Sequence, residues 1–452
     1  MCGKALKISL AAALILALFT VVAQAQDDPQ ISRCTAACVY NITNEKLLYM
    51  TGGDKVLAPA STVKLMTGVV ALDFYIKADA LEREITITAE MLKNVAGNNI
   101  GLRAGEVVTA RQLLSALIVG GSNDAAYALA FDSYGSAEAF VDTMNARAAE
   151  LGMNNTYYTN PTGMDSEAMR TTLSDTLKIA LEAYRHNTFM ELAGMKRYEF
   201  AATNKSEVRY INNRNYLIAT NIVSDYYYKY ASGMSSGMTE AGGWCIAATA
   251  RSGGVTQLVI VMGGEQEKNK DGTFGKIYSY VNAIELFKWS FDNFKYIRVL
   301  ENTTMICEIP VNLGRGVDHV TLLPEESLDL YLPADTDVKK EIILSWALDK
   351  PALTAPVKAG ETAGLLTLYY KDEIVGRVSL VVKNNVELYR TLQFIDRMRG
   401  IIESEWFRTA AVAAAGLGAA YILIVAIIRG RRKNSQHVNH GQQVDRRRIY
   451  RK

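Results

Sequence analysis

Between Thr409 and Ile428 the chain runs for 20 residues without a charge. A segment of that length and composition is stable as an α-helix across a hydrocarbon core of ~30 Å, where the helix satisfies every backbone polar group internally. Trp406 and Phe407 stand at one edge of the run, where amphipathic aromatics favour the membrane–water interface. At the other edge residues 429–452 hold nine Lys/Arg against one Asp, a tail of +8. Basic flanks stay on the cytoplasmic side, so the tail is expected there and the body of the chain outside. The N-terminus agrees. Lys4 and Lys7 precede the apolar stretch Ile8–Ala23, and Ala23-Gln24-Ala25 is a small-x-small cleavage site, so residues 1–25 read as an export signal rather than a second span.

The formal net charge of +2 conceals this division, because residues 26–428 carry about −8 once the leader and tail are set apart. No basic surface offers itself to nucleic acid, and the tail reads as a topology and anionic-lipid signal. Cys34, Cys38, Cys245 and Cys307 survive processing, too scattered for a disulfide scaffold or a zinc site. A Cys34–Cys38 bridge is open outside the cell unless that segment is a strand. Two of the four histidines, His437 and His440, lie in the tail, leaving His186 and His319. No metal or cofactor is therefore expected, and a serine hydrolase built on this chain needs a base other than histidine.

Periodicity divides the body. Cys38–Met50 reads as two strands around Asn44-Glu45. Helical spacing follows at Ala110–Val119, Ala125–Phe131 and Ala137–Leu151, then strands at Trp244–Ala250 and Gln257–Met262 and a helix near Tyr278–Phe291. Strands at both ends around a helical middle imply an α/β (α+β) domain with one antiparallel sheet, over residues 26–295. Beyond Lys295 come short alternating strands at Glu308–Val311, Val320–Leu323, Leu328–Leu332, Lys340–Leu344, Gly364–Tyr370 and Arg377–Val382, an all-β domain over residues 296–385. Residues 386–408 read as an amphipathic juxtamembrane helix, 409–428 as the membrane span and 429–452 as the basic tail.

One short motif, "APASTVKLMTG" at residues 58–68, bears chemistry. Ser61 precedes a helical run and is a good N-cap by type. Three residues on, Lys64 shares its face, with Cβ atoms ~5–6 Å apart, and can reach the Ser61 hydroxyl; by spacing alone a cap is the commoner reading, with a nucleophile and its base as the alternative. Non-histidine acyl transfer by Ser-x-x-Lys is accompanied by a Ser-x-Asn and a Lys-Thr-Gly element. The chain has Asn123-Asp124 in "LIVGGSNDAAYALA" and, before a strand, "GMSSGMTEAGGWCIAATA".

With "LRAGEVVTARQLLSALIV", "MNARAAELGMNNTYYTNPTGMD" and "LTAPVKAGETAG" added, the chain resembles the penicillin-binding D-alanyl-D-alanine carboxypeptidases of bacterial cell-wall metabolism along nearly its whole mature length. The resemblance implies a catalytic domain of the serine β-lactamase/transpeptidase type, a β-rich stalk and a C-terminal membrane attachment. It implies the peptidoglycan stem pentapeptide as substrate and β-lactams as inhibitors. Ser61 becomes the nucleophile, Lys64 its base, Asn123 a contact to the substrate peptide, and the main-chain N–H groups of Ser61 and Met238 the oxyanion hole.

Two positions depart from the family pattern. Its Ser-Gly-Asn falls on Gly121-Ser122-Asn123, leaving Ser122 as the adjacent hydroxyl for the relay. Its Lys-Thr-Gly falls on Ser235-Ser236-Gly237, so the substrate-binding stretch Ser235–Met238 keeps a hydroxyl and lacks the lysine. Lys229 shares the strand face but lies ~20 Å off, and Arg251 would stand opposite Tyr230, so neither replaces the charge. The expected function is a serine carboxypeptidase weakened by these departures. The alternative is a degenerate homologue that binds peptidoglycan or wall-synthesis partners. A β-lactamase is disfavoured, because no Glu-bearing loop of the deacylating kind is visible. For the topology, protease added to intact cells is predicted to digest the body and spare an epitope placed after Lys433; loss of that epitope would reverse the orientation.

Overall fold

The computed structural model describes residues 28–444, apart from Asn94, Asn221, Asp271 and Gly272. The export signal and residues 445–452 lie outside the described residues. The chain divides into two compact units, one running to Tyr296 and including Tyr331–Asp335, the other comprising Ile297–Leu330 and everything from Thr336 onward.

The first unit is organised by a five-stranded antiparallel sheet. Its strands are β1 (Ala36–Asn41), β2 (Lys46–Thr51), β3 (Ala231–Thr239), β4 (Gly243–Ser252) and β5 (Val255–Gly264), in the order β2-β1-β5-β4-β3. The N-terminal strand β1 lies antiparallel between β2 and β5, as strands at both ends of the domain implied. Because β side chains alternate faces, β1 serves two cores at once. Ala36 and Cys38 pack into the helical core, Ala37 and Val39 into the core on the opposite face.

The helical layer contains α1 (Val63–Lys77), α2 (Ala110–Ile118), α3 (Asn123–Tyr134), α4 (Ala137–Glu150), α5 (Leu173–Arg185) and α6 (Asn187–Ala193). Helix α1 is apolar nearly all round and buried from Val63 to Leu72, the signature of a central core helix. Its neighbours start where the sequence supplies caps. Thr109 and Gln112 form a capping box on α2, and Ser136 and Thr172 accept first-turn N–H groups of α4 and α5. The other face of the sheet is covered by α7 (Tyr278–Asn293), whose Tyr280, Ala283 and Phe287 repeat at i, i+3, i+7.

All four cysteines described are free. Cys38 is buried within β1, so the Cys34–Cys38 bridge is not made.

The second unit carries a six-stranded sheet of β6 (Cys307–Asn312), β7 (His319–Pro324), β8 (Ile342–Leu348), β9 (Leu353–Thr354), β10 (Thr362–Tyr370) and β11 (Glu373–Val382), ordered β8-β10-β11-β7-β6-β9. Burial alternates along it, with Leu366, Leu368, Tyr370, Val378, Leu380 and Val382 inward. The strand expected from Lys340 begins only at Ile342. Asp337 accepts the Lys339 N–H at 3.2 Å and starts a helical turn, Val338–Glu341, in its place. The strand Leu328–Pro333 forms but does not join this sheet.

Beyond the sheet, α8 (Arg390–Glu403) is shorter than the juxtamembrane helix expected, and Ser404, extended at φ −66°, ψ 143°, separates it from α9 (Glu405–Val444). Within α9, Glu405–Arg431 has a mean hydropathy of 2.5 and is long and apolar enough to cross a membrane.

Tyr331 belongs to the first unit through specific contacts. Its ring stacks on Phe294 with centroids 5.9 Å apart, and its hydroxyl accepts from Gln257 Nε2 at 3.1 Å and donates to Ser290 O at 3.4 Å. Tyr331→Ala is therefore predicted to destabilise the first unit by about 3 kcal/mol or more. Chemical denaturation followed at Trp244 and Trp289 checks this; an unmoved midpoint would separate Tyr331 from that core.

Candidate active site

Ser61 occupies a 3₁₀ turn, Ala60–Thr62, that leads directly into α1. Neither helical start uses its side chain as a cap, and Thr62 Oγ1 instead donates to Pro59 O at 2.6 Å. Ala60, just before it, is held in the left-handed region at φ 47°, where a non-glycine residue carries strain. Above the hydroxyl runs β3. A Cβ on Gly237 would lie 2.1 Å from Ser61 Oγ, so only glycine lets the strand approach the serine this closely. Ser235 Oγ donates to Ser61 O at 2.9 Å and ties the strand to the turn.

Lys64 is only 6 % exposed, and its Nζ donates to Thr162 O at 2.7 Å. Burial pushes its pKa down to about 7, and the positive charge of Arg214 adds to the effect. A lysine near neutrality at physiological pH can accept a proton. Thr162 is itself held by Asn160, whose Oδ1 accepts from Thr162 N, Thr162 Oγ1 and Gly163 N at 3.1, 2.8 and 2.9 Å. Gly163 sits at φ +83°, where a Cβ would run into Ala60 O at 1.9 Å, so this loop braces both the Ser61 turn and Lys64. Its residues fall in the "TNPTGMD" stretch, whose pattern alone does not mark them as neighbours of Lys64.

Asn123 begins α3 and lines the cleft. Its Nδ2 donates to Ala96 O at 2.7 Å, while its buried Oδ1 has no partner among the described residues, leaving an acceptor for a substrate N–H. Ser122, expected to serve the relay, does not reach the cleft. It is fully buried, bonds to Asp124, and accepts Ala125 N–H at 3.4 Å as the N-cap of α3. Helix nucleation wins the hydroxyl. Asp124 in turn accepts from the N–H groups of Ile100, Gly101 and Leu102 at 3.2, 2.9 and 3.0 Å, and Asn98 Nδ2 donates to Gly120 O and Gly121 O at 2.6 and 3.0 Å. The loop carrying Gly121 is thus pinned from both sides.

Ser61, Lys64, Asn123, Arg214, Ser236 and Gly237 share one cleft of about 100 Å³, with half-exposed Met238 at its rim. A second cavity, of about 10 Å³, is lined by Lys64, Gly121, Arg214, Ser235 and Ser236. Both positions that depart from the family pattern therefore face one small space, and Arg214 borders it. Its Cγ lies 3.6 Å from where a Gly121 Cβ would stand, and its guanidinium has no ion pair or hydrogen bond among the described residues. Lys229 and Arg251 do not enter either space, and Arg251 N–H bonds Tyr230 O at 2.9 Å, as the hairpin register implied. Arg214 escaped the sequence reading because it lies on a loop after the strand Arg209–Asn212, outside any strand register. Among the described residues no three His, Cys, Asp or Glu side chains group as a metal site.

A serine beneath a glycine strand edge, a buried lysine one turn on and an Asn at a helix start define a serine acyl-transfer site of the non-histidine kind. The chain belongs to the D-alanyl-D-alanine carboxypeptidase family of serine peptidases (S11), which it matches over residues 22–266; residues 294–388 match the C-terminal domain of penicillin-binding protein 5. It is similar to D-alanyl-D-alanine carboxypeptidase DacF of Bacillus subtilis, 25% identical over 358 residues, 78% of this chain and 86% of that one. DacB2 of Mycobacterium tuberculosis is 31% identical over 247 residues, 54% of this chain and 77% of its own. Penicillin binding protein 5 from Haemophilus influenzae shares the fold at a TM-score of 0.56 with 24% identity, covering 80% of this chain and 99% of that structure.

The geometry predicts a pH dependence. The base acts only when unprotonated, so acylation should rise with pH through about 7, where Lys64 loses its proton. Removing a neighbouring positive charge stabilises the protonated lysine, so Arg214→Gln should move that limb to higher pH. Rates of covalent labelling by a fluorescent penicillin between pH 5 and 10 check both (the range is about the pH span that brackets a lysine so shifted); a flat profile would exclude Lys64 as the base.

Proposed function

We propose that the chain is a serine-type D-alanyl-D-alanine carboxypeptidase that removes the terminal D-alanine of peptidoglycan stem pentapeptides through an acyl-enzyme on Ser61. The family membership supports the reaction class, and one observation carries the residue roles: the buried Lys64 and the Ser61 hydroxyl, without a hydrogen-bond partner among the described residues, share one cleft. Neutral Lys64 takes the Ser61 proton as Oγ attacks the carbonyl of the penultimate residue. The carbonyl oxygen becomes an oxyanion held by the main-chain N–H groups of Ser61 and Met238. Asn123 Oδ1 accepts from the substrate's peptide N–H. With no hydroxyl at Gly121, the lysine ammonium itself returns the proton to the leaving amine, and D-alanine departs. Water then attacks the ester, with Lys64 again the base, to free Ser61.

Arg214 supports the reading despite the missing third-motif lysine. It brings a positive charge to the cavity that the small residues Gly121 and Ser235 leave, and that charge supplies the pull on the substrate's carboxylate. The apolar helix within α9 fits a membrane anchor. We further propose a single span, with the catalytic unit outside the cytoplasm and the basic tail inside, and β-lactams as acylating inhibitors.

Purified protein should bind fluorescent penicillin covalently and release D-alanine from a pentapeptide, and Ser61→Ala should abolish both. Ser235→Lys should raise acylation less than about tenfold, below the ~10- to 100-fold that a charge-assisted hydrogen bond of ~1.5–3 kcal/mol would bring to an uncompensated site. Mass spectrometry of the adduct and chromatography of released D-alanine read the outcomes. A wild type that neither labels nor releases D-alanine, rescued by Ser235→Lys, would make the chain a degenerate binder instead.

A further inference from the structure

Behind the cleft, on the opposite side of the sheet, Tyr280 is completely buried near the start of α7. Its ring is clamped between Tyr216 and Tyr226, stacked at centroid distances of 5.2 and 5.1 Å with interplanar angles of 22° and 25°. Its hydroxyl meets three groups: Arg214 O at 3.0 Å, Tyr216 N at 3.4 Å, and Ser236 Oγ. Hydrogen-bond arithmetic fixes the protons. A phenol has one proton, and a carbonyl only accepts, so the phenol's proton goes to Arg214 O. The Tyr216 N–H and the Ser236 O–H must then both donate to the phenol oxygen. Burial holds the phenol well above its ordinary pKa, so it stays a donor across the working pH range.

Two consequences reach the cleft. Ser236 lines it, yet its single proton is committed backwards to Tyr280, so its hydroxyl has no proton to offer a carboxylate there. The Arg214 main chain is fastened at both ends of its residue, N–H to Val119 O at 3.1 Å and C=O to Tyr280. That fixes where the guanidinium enters the cavity beside Gly121.

We propose that Tyr280 is a positioning residue that withdraws Ser236 as a donor and anchors Arg214, so that recognition of the terminal carboxylate rests on the Arg214 guanidinium. This rests on the carboxypeptidase reading above. It adds to that reading a residue that never touches substrate, and a division of labour within the third motif. The strand alternates between two tasks: Ser235 faces the nucleophile's turn, and Ser236 faces the tyrosine layer.

The test compares two acyl donors on the full chain in detergent: a penicillin, whose carboxylate is part of recognition, and an acyl-D-alanyl thioester with an uncharged leaving group. Rates are taken at the plateau of each variant's pH profile, so that a displaced Lys64 limb does not enter. Tyr280→Phe keeps the ring stack and removes the hydroxyl. It should slow acylation by penicillin about three- to tenfold, the kinetic worth of one lost hydrogen bond, and acylation by the thioester less than about twofold. Arg214→Gln should show the same selectivity at larger amplitude, and adding Tyr280→Phe to it should cost nothing further, because the tyrosine acts through the arginine. Equal losses on both donors, or a Tyr280→Phe loss that persists undiminished in the Arg214→Gln background, would overturn the proposal. Should Tyr280→Phe fail to fold, Arg214→Gln decides alone: this half-exposed side chain leaves no partner behind, and an unselective loss there overturns it too. A wild type that reacts with neither donor overturns the carboxypeptidase reading as well; one that reacts with both donors without the split overturns this inference only.

Discussion

A lysine with no carboxylate beside it lies buried at the first turn of a helix that is itself the centre of the core. That is the constraint the rest of the first unit answers. Lys64 has one hydrogen-bond partner, the Thr162 carbonyl, and no ion pair among the described residues. Placing an ammonium there costs several kcal/mol of hydration, and the chain meets that cost by letting the group shed its proton. The surroundings are correspondingly stiff. The Asn160 loop is closed by its own side chain, Gly163 wedges against Ala60, and α1 is buried from Val63 to Leu72. A looser setting would admit water, restore the lysine to its ordinary basicity, and leave a cation with no capacity to take the serine's proton.

What could be read from the sequence followed the reach of each signal. Ser61 and Lys64 are linked by helical spacing, a local relation, and the first unit's sheet was legible because Trp244–Ala250 and Gln257–Met262 are short apolar runs. The pairing of β1 with β5 followed from their place at the two ends of the domain. Residues whose roles arise from tertiary approach left no such trace. Arg214 and Thr162 sit on loops, and nothing in their neighbours' periodicity announces that the loops fold over Lys64. Ser122 shows the opposite hazard: it stands one residue from a family position, but a helix start competes for its hydroxyl and takes it. Tyr331 returns to the first unit from within a stretch whose pattern resembles the second, because the ring's partners, Phe294 and Gln257, are distant in sequence.

The site places its positive charge away from the strand. The lysine that the family pattern carries on the strand is absent, and the cation bordering the vacated space comes from a loop fastened to a helix on the far side of the sheet. Arg and Lys are not equivalent in such a role: a planar fork offers two parallel donors to a carboxylate, where an ammonium offers a point charge. On the proposed reading, an acylation site built on Ser61 and Lys64 would hold the substrate's end through a guanidinium rather than an ammonium.

Gly121 is held by the hand of its backbone. Its backbone stands at φ +64°, a conformation that costs a residue with a side chain roughly 1–2 kcal/mol, while the volume around it admits a Cβ in ordinary contact with Arg214 and Asn98. Room is not the obstacle; handedness is. A serine placed at position 121 would meet a strained backbone, and straightening that backbone would loosen the Asn98 bonds that pin it. A side chain at position 121 would therefore work against both the backbone's hand and the Asn98 bonds that hold the loop beside Arg214.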